Sequence, residues 1–126
     1  MVKKILIVDD SPVARKILKS CFPKGPGFEI YEAGDGSEAV EMYQVVSPDI
    51  TFMDLTMPVM DGIEALSRIK ALNQNALVIV STADVQKNTL DKIMQLGAFM
   101  LLKKPLNKES VQNAFVEVYK HMVESG

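Results

Sequence analysis

Three short strand-like runs that are wholly or nearly apolar, each closed by a polar side chain, limit this chain to very few folds. Residues 5–8 read Ile-Leu-Ile-Val and stop at Asp9-Asp10; residues 76–80 read Ala-Leu-Val-Ile-Val and stop at Ser81-Thr82-Ala83-Asp84. Between them, residues 49–54 form a partly β-branched run that ends in Asp54, followed by the turn Leu-Thr-Met-Pro-Val-Met-Asp-Gly. A strand apolar at every position must be covered on both faces, which is the signature of a parallel sheet packed between helices.

Helical patterns occupy the gaps. After Asp9-Asp10, Ser11 offers an N-cap hydroxyl and Pro12 suits the first helical position, with Val13, Ile17, Leu18 and Cys21 expected on the buried side and Arg15, Lys16 and Lys19 on the wet one. Residues 28–33 read as a more amphipathic second strand. Asp35 with Glu38 then starts a helix with Ala39, Val40 and Tyr43 inward, closed by Ser47-Pro48. Asp61-Gly62 opens a third helix, with Ile63, Leu66, Ile69 and Leu72 inward. Leu90, Ile93, Met94 and Leu96 mark a fourth, with Gly97 as its C-cap. Residues 99–102 form the last strand before Lys103-Lys104-Pro105, and Asn107 caps a fifth helix faced by Val111, Ala114, Phe115, Val118 and Met122. Five strands alternating with five helices through short connections predict a doubly wound α/β domain with helices on both faces.

At 126 residues, 48% hydrophobic and 24% charged, the chain has room for one domain, 1–126, and one core. A net charge of −2 gives no broad reason to expect nucleic acid as a partner. One cysteine excludes an internal disulfide and a multi-cysteine zinc site. The apolar run after Lys3-Lys4 is too short for a secretory core or a membrane span, so a cytoplasmic protein without membrane insertion is expected. The glycines at 25, 27, 34 and 36 match neither a P-loop nor a dinucleotide fingerprint. His121, the one histidine, stands near the chain end, remote from any Ser-His or Cys-His pairing.

In a doubly wound sheet, ligands sit beyond the carboxyl ends of the strands. The residues expected there are Asp9, Asp10, Asp54, Ser81, Thr82, Lys103 and Lys104. Three carboxylates brought together either take up a proton or gather around a cation, and hard oxygen ligands favour Mg2+. A carboxylate beside such a metal can attack a phosphoryl donor, while a lysine and a hydroxyl from Thr82 or Ser81 meet other phosphoryl oxygens. Strand alternation is expected to turn Ser81 away, leaving Thr82.

These motifs, taken in order, resemble the receiver domain of bacterial two-component response regulators, of the single-domain chemotaxis-regulator type. The resemblance covers the chain from Lys4 to about Met122 and rests on Asp9-Asp10, the Asp54–Gly62 segment, Thr82-Ala83, Gly97-Ala98 and Lys104-Pro105. It implies the flavodoxin-like strand order 2-1-3-4-5 and a phosphoacceptor switch rather than a turnover enzyme, catalysing only its own phosphotransfer and autodephosphorylation. By the same resemblance Asp54 accepts the phosphoryl group, and Asp10, Asp54 and the carbonyl of Thr56 hold Mg2+ directly, with Asp9 acting through bound water. Thr82 and Lys104 answer the new charge, and Lys104-Pro105 is cis. Thr56 and Asp84 line the path of the attacking water. The implied partners are a sensor histidine kinase and a downstream target, read by the fourth helix, fifth strand and fifth helix over roughly residues 85–122, with the chain a monomer or a phosphorylation-dependent dimer.

One position departs from the family pattern. Leu101 stands where the family carries Tyr or Phe, and Phe99, two residues earlier, is expected on the same side of the strand. The eight methionines are expected mostly to fill the core, with Met57 and Met60 also able to lend an adaptable contact surface beside Asp54, and Cys21 to be a small buried side chain. Two other readings compete. A flavin-binding protein of the same strand order needs a Ser/Thr/Gly-rich loop after the first strand, which Ser11-Pro12-Val13-Ala14-Arg15 does not supply. A small phosphatase of the aspartyl-phosphate type would turn over phosphate esters. The chain is also compatible with a receiver cut from a longer regulator.

Overall fold

The computed structural model describes residues 1–25, 27–83 and 86–125. Its elements alternate as read from the sequence. The strands are β1 (Lys4–Val8), β2 (Glu29–Ala33), β3 (Ile50–Asp54), β4 (Val78–Thr82) and β5 (Met100–Lys103); the helices are α1 (Pro12–Ser20), α2 (Gly36–Val46), α3 (Gly62–Leu72), α4 (Lys87–Gln95) and α5 (Lys108–Ser125). The strands form one parallel sheet in the order β2-β1-β3-β4-β5. Among the described residues no helix is long and apolar enough to cross a membrane.

Period-two alternation splits the sheet residues between two cores. Leu6, Val8, Met53, Val78, Val80 and Leu101 pack with Ala39, Tyr43, Leu66, Ile69 and Ile93, beneath α2, α3 and α4. Ile5, Ile7, Ile50, Phe52, Ile79 and Leu102 pack with Leu18, Val111, Phe115 and Val118, beneath α1 and α5. Phe22, Phe28, Phe52 and Phe115 add ring contacts with centroids 5.3 to 6.1 Å apart in this second layer. The helix starts are as expected: the side chains of Ser11, Asp35 and Asp61 accept from the backbone N–H of Ala14, Glu38 and Glu64 at 3.1, 2.8 and 2.9 Å. Asn107 Oδ1 accepts from Ser110 N–H at 2.8 Å. Cys21 is buried.

Several faces were misjudged by the sequence pattern. Val13 and Ile17 are 67% and 50% exposed, not buried. On a helix turning about 100° per residue, Ala14 and Leu18 share a line that Cys21 continues, whereas Val13 and Ile17 lie a quarter turn away. Leu72 is half exposed for a related reason. Steps of three fall back about 60° each time, so residues 63, 66, 69 and 72 cannot share one face, and Ala65, Leu66 and Ile69 form the real one. Met94 is also half exposed, leaving Ile93 as the buried anchor of α4. Gly97 lies one residue beyond the C-cap, Leu96, with φ +98, donating to Met94 O at 3.1 Å. Both β4 and β5 extend further toward their polar ends than the apolar runs suggest. Thr82 and Lys103 are partners in the ladder, and Ala76 instead closes a turn onto Asn73.

Thr51, in the middle of β3, is 1% exposed, and its hydroxyl has no hydrogen-bond partner among the described residues. A buried hydroxyl without a partner keeps its full desolvation cost, so Thr51→Val, of the same shape, is expected to stabilise the fold by about 1 kcal/mol. Urea unfolding should show a higher midpoint with an unchanged slope; an unchanged or lower midpoint would contradict this assignment.

Candidate functional site: an acidic trio and a bridging lysine

The site lies where β1, β3, β4 and β5 end. Asp9 follows β1 directly and is pinned from several sides. Its N–H donates to Ala33 O at 3.1 Å, its Oδ1 accepts from Ser11 N–H at 2.9 Å, and its Oδ2 accepts from Lys104 Nζ at 3.2 Å. Asp54 is the last residue of β3, and its Oδ1 accepts from the same Lys104 Nζ at 2.7 Å. The lysine is carried there by the loop after β5, whose backbone is tied to β4 through Lys104 N–H donating to Thr82 O at 2.9 Å. The Lys104-Pro105 bond is cis, as the family resemblance implies. Carboxylate oxygens of Asp9, Asp10 and Asp54 all lie within 4.8 Å of one another. Asp10 is exposed, the other two buried.

The electrostatics follow from that crowding. Burial raises the Asp54 carboxyl above the usual aspartate range; the bond from Lys104 works against this, and the charges of Asp9 and Asp10 add to the rise. Burial pulls Lys104 down, but its contacts with Asp54 and Asp9 outweigh that pull and hold its ammonium above the ordinary lysine range. The two directions agree, since the one lysine is bonded to two acids, Asp54 and Asp9, while Asp54 has a single lysine to set against its burial and its acidic neighbours. Three carboxylates against one ammonium leave a surplus of negative charge, made of hard oxygen donors open on the Asp10 side. This is a donor set suited to Mg2+.

One hydroxyl differs from expectation. Ser81 is not turned away: it is the ladder partner of Asp54 and, with Asp9 and Lys104, lines a cavity of about 240 Å³ floored by Ile7, Leu18 and Phe52. Thr82, buried, follows it. Thr56 is exposed in the loop after β3, and Asp84 and Val85 lie outside the described residues. That loop turns back through Met60 N–H donating to Pro58 O at 2.8 Å, with Val59 at φ +68 and 84% exposed at its tip. Met57 is buried and Met60 partly buried against the α2/α3 core, so neither provides the expected contact surface. Phe99 does not share the side of Leu101. It packs in the α1/α5 layer, its ring edge-on to His121 at 5.3 Å, because β5 begins only at Met100 and the alternation does not extend back to it.

The site also contains residues the sequence reading passed over. Arg15, placed on the wet face of α1, folds back so that Nη1 donates to the carbonyl of Asp9 while Nε donates to Glu32 Oε1 at 2.8 Å. An arginine six residues after a strand-end acid, with a glutamate at the matching height of the neighbouring strand, is the pattern that could have revealed it.

Residues 5–116 match the family model described as the response regulator receiver domain. The chain belongs to that family. The receiver domain is 41% identical over 119 residues to the chemotaxis protein CheY of Halobacterium salinarum, covering 94% of this chain and 98% of that one. It is also 41% identical over 115 residues to the CheY of Bacillus subtilis, covering 90% and 95%. Among solved structures, a chain of the CheX-CheY-BeF3-Mg+2 complex from Borrelia burgdorferi is similar at a TM-score of 0.86 and 37% identity, covering 93% of this chain and 89% of that one. Receiver domains bind Mg2+ at an acidic pocket, and the Asp9, Asp10 and Asp54 cluster of this receiver has the donors for it.

Proposed function

We propose that this receiver domain accepts a phosphoryl group from a histidine kinase on Asp54 and thereby switches the binding of a partner protein. The observation that carries the reading is the single ammonium of Lys104 bridging Asp54 at 2.7 Å and Asp9 at 3.2 Å inside a trio of acids. Asp10, Asp54 and the carbonyl of Thr56 would hold Mg2+ directly, with Asp9 acting through its bound water. When bound, the metal neutralises charge on the transferring group. An Asp54 carboxylate oxygen attacks phosphorus, the P–N bond of the phosphohistidine breaks, and the imidazole nitrogen takes up a proton as it leaves. Lys104 exchanges a carboxylate partner for a phosphoryl oxygen, and the Thr82 hydroxyl donates to another.

The new dianion draws Thr82 at the end of β4 and the loop bearing Lys104 toward it, which shifts the edge formed by α4, β5 and α5. Leu101, half-buried under α4, takes the place of the family's aromatic, so the movement of Thr82 must reach this edge without a ring swinging inward.

Incubation with acetyl phosphate and Mg2+ should attach one phosphoryl group per chain, without sustained turnover of phosphate esters. Asp54→Asn and chelation of the metal should each abolish the labelling, a loss of at least about a hundredfold. Labelling of Asp54→Asn at the wild-type level would overturn the assignment, and continued ester hydrolysis would favour the phosphatase reading. Capture of a partner that depends on beryllofluoride would test the switch.

A further inference from the structure

We propose that Arg15 is a positioning residue for the cation site: together with Glu32 it fixes the turn that carries Asp9 and Asp10 in front of Asp54. This rests on the reading of the acidic trio as a Mg2+ site. The Arg15 side chain is only 18% exposed and links three elements. It starts on α1, donates to the main-chain carbonyl of Asp9 just past the end of β1, and pairs through Nε with Glu32 on β2 at 2.8 Å. Glu32 is itself held from the other side by Lys19 Nζ at 3.0 Å, and these two cations keep its carboxyl below the usual glutamate range. Because an arginine presents donors in a rigid plane, one side chain can serve both acceptors without losing its orientation.

The consequence reaches the site through the backbone. The carbonyl of Asp9 belongs to the peptide plane that joins Asp9 to Asp10, so holding that oxygen places the N and Cα atoms of Asp10 and restricts where its side chain can start. Asp9 has further restraints, from Ala33, Ser11 and Lys104. Asp10 is exposed, and its place within 4.8 Å of the other carboxylates depends on its backbone. A merely structural Arg15–Glu32 pair would be an ordinary surface ion pair, of little consequence for stability and none for cation binding. A positioning pair acts on affinity, as outer-shell partners of metal ligands do.

Titration calorimetry with MgCl2 on the full chain separates these outcomes without any phosphoryl donor. Arg15→Met is expected to weaken Mg2+ binding about tenfold. Arg15→Lys should fall between it and wild type, since an ammonium can reach one acceptor but not hold both in a plane, and Glu32→Gln should weaken binding less than Arg15→Met. Arg68→Met breaks a similar pair, Arg68–Glu64 at 3.2 Å on the exposed side of α3, and should leave binding unchanged. Wild-type affinity in Arg15→Met, or equal weakening in Arg68→Met, would overturn the proposal. If Arg15→Met does not fold, Glu32→Gln decides, with wild-type affinity again counting against it. Absence of any magnesium heat in wild type is a different result, since it removes the cation reading itself.

Discussion

Lys104→Met is expected to destabilise the fold by about 2 kcal/mol at neutral pH and to lose most of that penalty on acidification. Removing one partner of a buried ion pair costs more than the pair contributes, because the remaining charges stay desolvated. The lysine side chain is 28% exposed, which argues for the lower end of that cost. Its two contacts serve Asp54 and Asp9 together, so the variant leaves three crowded carboxylates with no cation bonded to Asp54 among the described residues. The sign follows from Asp54. Its carboxyl is raised by burial in the folded protein, so the folded state takes up a proton before the unfolded state does as pH falls. Such a group favours the fold fully below its unfolded pKa, and that contribution is lost as pH rises through the folded value. Without Lys104 the rise in Asp54 grows, and the gap between variant and wild type should be wide at neutral pH and narrow in the acid range. Glu32, lowered by Lys19 and Arg15, acts in the opposite sense, losing its contribution as pH falls, but it is present in both proteins and cancels in the difference. Urea unfolding of both proteins across this range tests the argument. Adding Asp54→Asn to the variant should restore most of the loss, because the amide carries no charge to leave uncompensated. A loss of equal size at every pH, or no recovery in the double variant, would mean that Lys104 acts through packing rather than charge.

The element order, the parallel sheet and the corner where the site lies were legible because they depend on patterns that repeat over several residues. Continuous apolar runs at 5–8 and 76–80 require cover on both faces, and Ser11, Asp35 and Asp61 cap their helices as their chemistry demands. What was not legible depends on angles and on tertiary contact. Ile17 and Leu72 look inward on a count of apolar residues but lie off the buried line once helical rotation is followed. Ser81 was turned away by counting alternation from β4 alone. The ladder register pairs it directly with Asp54, and a register between two strands is not contained in either of them.

The site divides along the same line. The acids and the lysine are visible because a charge at the end of a buried strand is conspicuous in any sequence. Arg15 is invisible by that criterion, because an arginine on a short amphipathic helix looks like ordinary surface. The role proposed for it rests on a carbonyl just past β1 and a carboxylate on β2. Charged residues at strand ends thus announce themselves by chemical type, whereas a residue bonded to a main-chain carbonyl leaves only a faint trace, its spacing from a strand-end acid and from a glutamate on the neighbouring strand.

Gly62→Ala is expected to combine the largest structural cost with a large functional one. Gly62 opens α3 with its N–H donating to Leu55 O at 2.8 Å, so the helix start is drawn hard against the end of β3. An added Cβ would collide with the carbonyl oxygen of Asp54 and come within 2.8 Å of Leu55 Cα and 3.1 Å of the Asp54 carbonyl carbon. All three are main-chain atoms of the strand end and its exit, which cannot move aside as a flexible side chain can. The cost of such overpacking is about 3 kcal/mol, and relieving it must shift the backbone of Asp54 itself. Under the proposed function a displacement of this kind separates the attacking oxygen from the groups that align it, and a shift of about 1 Å can cost roughly a hundredfold in rate. Gly97→Ala is the informative contrast. Its φ of +98 makes alanine strained, yet the atom in its way, at 2.9 Å, is Cε of the Lys70 side chain, and the position is remote from the acids. Gly97→Ala should therefore lower the unfolding midpoint while labelling at its normal rate, whereas Gly62→Ala should lose both stability and rate of labelling from acetyl phosphate. A folded Gly62→Ala protein with wild-type midpoint and wild-type labelling would show that the strand end has room to give, and that Asp54 is not held by the close approach of α3.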